Sequence, residues 1–144
     1  MTDKKYTSAE MQRIKYMDYL LSTLRDKERS IAALENKISE TRAALDSSCV
    51  SACDPAKVLN RNSSYGDSRH SRTILTLSGL EEEVKKLRRE QEIAIDALRK
   101  LSANDRHLIT LRYKDGYTYQ QIAFQQGVSR DTVRRDIKRI LASM

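Results

Sequence analysis

The sequence predicts an all-α chain: an N-terminal coiled-coil hairpin of two long helices, then a small three-helix domain of the helix-turn-helix type. Three observations predict it. One Pro and four Gly in 144 residues leave long stretches without a helix breaker. Apolar residues recur at spacings of three and four over two such stretches. The last 28 residues then show two short helical patterns separated by Gly127 and Ser129.

The first predicted helix spans about residues 7–46. Met17, Leu24, Ile31, Ile38 and Leu45 recur every seven residues, with Leu20, Lys27, Leu34 and Thr41 between them. This is a heptad seam with two weak places, Lys27 and Thr41, and mostly charged residues elsewhere. About forty residues without Pro or Gly is long for a globular helix and favours a coiled coil.

The period is lost at about residues 47–70. This stretch is rich in Ser, Asn and Asp and holds the only Pro, so a flexible loop is expected. It contains both cysteines, Cys49 and Cys53. Their C-x₃-C spacing and the two distant histidines, His70 and His107, do not make the four-ligand set of a structural zinc site. Free thiols are expected, with no metal and no cofactor.

A second helix is predicted over about 71–101. Leu77, Leu80, Val84, Leu87, Gln91, Ala94, Leu98 and Leu101 continue the alternation of three and four, with Gln91 as a polar interruption. Each seam must be buried, because a Leu or Ile taken out of water contributes about 1.5–3 kcal/mol. An antiparallel hairpin within one chain does this, and a homodimer through the coiled coil is a compatible alternative.

Residues 1–101 are thus expected to form the coiled-coil region and residues 102–144 a separate domain. Ser102 is a candidate cap for its first helix, 105–114, which Gly116 ends. Thr118 and Ser129 are placed to cap helices 119–126 and 130–143, and Gly127 to end the former. The expected core is Leu101, Leu108, Ile109, Leu111, Ile122, Ala123, Val128, Val133, Ile137 and Ile140.

The formal charge is +7, and residues 103–144 carry eight basic and four acidic groups, for +4. A basic excess on a helix-turn-helix is an electrostatic footprint for double-stranded DNA. The N-terminal end of the last helix would reach base edges through Ser129, Arg130, Asp131, Thr132, Arg134 and Arg135. Lys138 and Arg139 suit phosphates, as do Thr118, Tyr119 and Gln120 at the start of the preceding helix. No catalytic constellation is visible: there is no phosphate loop and no nucleophile with a placed base, so no enzyme is expected. No run of about 18 apolar residues suggests a membrane span, and the N-terminus lacks an apolar signal core, so a cytoplasmic protein is expected.

The segment from Leu101 to Met144 resembles sigma-70-type region four. Leu101, Arg106, Leu111, Arg112 and Tyr113 carry the resemblance, as do the Asp115-Gly116 turn with Thr118 and Tyr119, the Ile122-Ala123 pair, and Gly127-Val128-Ser129 followed by Thr132-Val133. It implies a reader of promoter DNA that works with host RNA polymerase. Gln126 stands where the family usually has Leu, which leaves Phe124 to fill that space. The layout of the whole chain looks like sigma-like phage and prophage transcriptional regulators, including the ArpU/RinA-type activators of late genes. No counterpart of region two is recognisable. A DNA-binding assembly protein, such as a small terminase subunit or a coiled-coil adaptor, is the alternative.

Overall fold

The computed structural model describes residues 5–51 and 64–144, and every element among them is helical. The chain is all-α. Helix α1 runs Ser8–Ser51, α2 Ser64–Arg99 and α3 Ala103–Ile109. A π-helical turn at Thr110–Lys114 follows, then α4 (Tyr119–Gln126) and α5 (Arg130–Ser143).

Helix α1 opens on a reciprocal cap that the T-x-x-E spelling encodes. The Thr7 amide donates to Glu10 Oε2 at 2.8 Å, and the Glu10 amide donates to Thr7 Oγ1 at 3.3 Å. Both long helices run further into the 47–70 stretch than its composition predicted, to Ser51 and from Ser64. A helix already nucleated adds residues at little cost, and Ser47 accommodates it by donating its hydroxyl to Ala43 O at 2.9 Å. Residues 52–63, including Cys53, lie outside the described residues, as does the side chain of Cys49.

Two compact units emerge, Met1–Lys27 with Glu90–Met144, and Glu28–Arg89. In the latter, Ile31, Ile38 and Val84 are buried, with Leu34, Leu77, Leu80 and Leu87 packed against them. The pairing is antiparallel: Glu35 meets Arg88 and Arg42 meets Glu81. Both ion pairs are solvent-exposed and contribute at most about 1 kcal/mol each, so the apolar seam supplies the cohesion.

The other unit has one core built from both ends of the chain. Ile14, Met17, Leu20 and Leu21 of α1 join Ala94 and Ala97 of α2 and the buried residues of the three short helices. Residues 102–144 therefore do not bury their apolar side among themselves alone. Tyr113 adds a polar tie, its hydroxyl donating to Asp18 Oδ1 at 2.5 Å. Lys27, one of the two weak places in the heptad, is 5% exposed. Its ammonium lies 2.9 Å from Glu90 Oε2 and 4.8 Å from the centre of the Tyr19 ring. The Glu90 carboxylate and the face of the Tyr19 ring compensate its charge.

The α2–α3 connection is fixed by Arg106. Its guanidinium donates to the carbonyls of Leu98, Arg99 and Leu101 at 3.1–3.2 Å, at and just beyond the end of α2, where carbonyls lack helical partners. Ser102 caps α3 by accepting from the Asp105 amide at 3.2 Å.

Candidate nucleic-acid interface

The helix-turn-helix is set by three local devices. Thr118 and Gln121 form a capping box at the start of α4, with Gln121 Oε1 accepting from the Thr118 amide at 2.9 Å and Thr118 Oγ1 accepting from the Gln121 amide at 3.3 Å. Gly127 ends α4 in the left-handed conformation (φ 65°, ψ 31°), which costs a residue without Cβ little. The Val128 amide then donates back to Ala123 O at 3.1 Å, closing a Schellman motif. Ser129 caps α5, accepting from the Thr132 amide at 3.1 Å.

Val128 and Phe124 do not occupy the core positions expected of them. Val128 is 43% and Phe124 89% exposed. In the Schellman turn it is the Val128 backbone that faces the helix end. At about 100° per residue, Phe124 lies away from the buried Ile122 and Ala123, beside exposed Gln120, Gln121 and Gln125. Leu101 is only partly buried, whereas Leu141, absent from the expected core, is buried.

On α5 the buried positions are Val133, Ile137, Ile140 and Leu141. The same rotation puts Arg135, Arg139 and Asp131 nearest the opposite side, with Thr132 and Lys138 flanking them, Arg134 along one edge, and Arg130 in the first turn on the side of the buried residues. Arg130, Asp131, Arg134 and Arg135 are exposed; Thr132 and Lys138 are half-buried. Five basic and two acidic residues leave α5 at +3.

The predicted residues differ in how free they are. The hydroxyls of Ser129 and Thr132 are hydrogen-bonded to each other at 2.8 Å, and Ser129 is also held by its capping role. Arg139 lies 3.4 Å from Asp105 and 3.9 Å from Asp136, which ties α5 to α3. Arg130 has a looser contact with Asp131 at 4.0 Å. Arg130, Arg134, Arg135 and Arg139 are exposed and Lys138 is half-buried, and together they supply the basic charge of α5 beside Asp131.

At the start of α4, Thr118 and Gln120 are exposed and Tyr119 is half-buried. Arg112 sits against them. It donates from Nη1 to Tyr117 O at 3.1 Å, and its guanidinium lies over the Tyr119 ring, 4.5 Å from the centroid. The π turn brings it there, with the Asp115 amide donating five residues back to Thr110 O at 3.0 Å. Nothing in the periodicity marks Arg112 for this contact, because a regular α-turn would aim it elsewhere.

Residues 91–144 match the family model for Sigma-70, region 4. No curated protein and no solved structure matches the chain. The matched stretch takes in the end of α2 together with the three short helices, and so supports a sigma-like, DNA-binding helix-turn-helix with the possibility of contact with RNA polymerase.

Proposed function

We propose that the chain is a sequence-specific transcriptional regulator that reads a promoter or operator in double-stranded DNA and activates phage or prophage genes with host RNA polymerase, in the cytoplasm and without catalysis of its own. The observation that carries this reading is the exposed basic side of α5, held at its N-terminal end by the Ser129 cap on a region-four-type motif. That end of a recognition helix reaches base edges in the major groove. Arg130, Arg134 and Arg135 can fork onto guanine, Asp131 can accept from cytosine, and Lys138 can meet phosphate. The seams of α1 and α2 are buried against each other within one chain, which favours a hairpin over a homodimer through the same faces.

Selection of duplexes from a random library by the full chain, followed by anisotropy titrations, tests this. Arg134→Ala and Arg135→Ala are each expected to weaken binding to the selected site by about 1–3 kcal/mol and to relax sequence preference. A chain that selects no sequence, or a double variant that binds its site unchanged, overturns the assignment. Transcription in vitro with host polymerase on a template carrying the selected site then tests activation.

A further inference from the structure

We infer that Arg112 is a positioning residue for the α4 end of the DNA-binding surface, acting through the Tyr119 ring and the turn before it; this rests on the DNA-binding reading above. The guanidinium is half-buried and engaged on two sides. One N–H is committed to Tyr117 O at 3.1 Å, which ties down the last residue before the Thr118 cap. Its central carbon lies over the Tyr119 ring, 4.5 Å from the centroid. Tyr119 is the first residue of α4, where amides left open by the helix point outward and favour an anion. Arg112 thus holds both the backbone leading into that end and the aromatic side chain beside it, while its charge adds to the local positive potential.

The planar fork explains why arginine suits this place. A lysine keeps the charge but has no face to lie on the ring and no second nitrogen to reach the carbonyl while doing so. The π turn matters for the same reason. It is the element that sets Arg112 over Tyr119 while Leu111 remains buried and Tyr113 reaches Asp18.

A double-mutant cycle on the full chain tests the inference, with the selected duplex as probe. Arg112→Lys is expected to weaken binding about tenfold, the loss of one stacked cation–ring contact and one hydrogen bond, while the salt dependence of binding is unchanged because the charge is kept. In a Tyr119→Leu background the same change should alter binding clearly less, by about threefold, because only the hydrogen bond to Tyr117 O remains to be lost. In the free chain, the Arg112 side-chain protons should show a ring-current shift that Tyr119→Leu abolishes. Additive effects of the two substitutions, or absence of the ring-current shift, overturn the positioning role while leaving the DNA reading intact. Failure of the wild-type chain to bind any duplex removes both.

Discussion

The Tyr113 hydroxyl donates to the Asp18 carboxylate across 95 residues of sequence, joining the π turn to the first helix. Burial, and then the bond to Asp18, hold the phenol's pKa well above its ordinary value of about 10. The folded chain therefore keeps this proton where the unfolded chain has released it. The associated stability is fully present below pH 10 and declines as pH rises beyond it. Tyr113→Phe should cost about 1 kcal/mol at neutral pH and flatten the alkaline limb. Thermal melts from pH 7 to 11 for both chains check this; equal slopes above pH 10 would refute it.

Leu20 is fully buried in the core that α1 shares with the helix-turn-helix. Leu20→Ala should therefore cost about 2–5 kcal/mol, although the residue lies far from α5 in sequence. The loss should appear in the C-terminal helices: hydrogen exchange of the α5 amides should accelerate together with that of residues 14–24. Protection of α5 that survives the substitution would show that its core is independent.

Lys27 and Glu90 should respond asymmetrically. Glu90→Leu leaves a buried ammonium with only the Tyr19 ring beside it and should cost about 3–5 kcal/mol. Lys27→Met fills the same space with an apolar chain, while Glu90, at 22% side-chain exposure, can still reach water. That variant should be as stable as wild type or more so. Urea denaturation of the two variants measures the difference, and equal losses would refute the asymmetry.

The glycines give a signed pair. Gly79 lies within α2 with open space around the position of a Cβ, so Gly79→Ala should stabilise by about 0.5–1 kcal/mol. Gly127 has equally open space but a φ of +65°, and Gly127→Ala should cost about 1 kcal/mol through that conformation alone. Shifts of the same sign in urea midpoints would contradict this account.

The parts of this fold legible in the sequence are those decided within a few residues. Thr118, Gly127 and Ser129 mark ends that their own side chains or backbone make, and the heptads of α1 and α2 name their buried faces. Lys27 stood out as a break in the seam, but its partner Glu90 did not, because nothing local links them. Val128 and Phe124 were misplaced for a related reason. An apolar side chain near a turn can face either way, and the rest of the fold decides which. The outward residues of α5 could be named in advance. That Ser129, Thr132 and Arg139 are partly spent on caps and ties could not, since Asp105 comes from another helix. The π turn, and with it the placement of Arg112 and Tyr113, left no periodic trace.

The core that holds residues 14–21 also holds residues 137–141. During synthesis the first of these leave the ribosome more than a hundred residues before the last. Until α5 emerges, that core lacks Val133, Ile137, Ile140 and Leu141 and can close only in part, around α2, α3 and α4. The C-terminal helices complete a core to which residues far earlier in the chain contribute. Its folding should be slower than its helical content suggests, because the contacts that finish it are among the most distant in sequence.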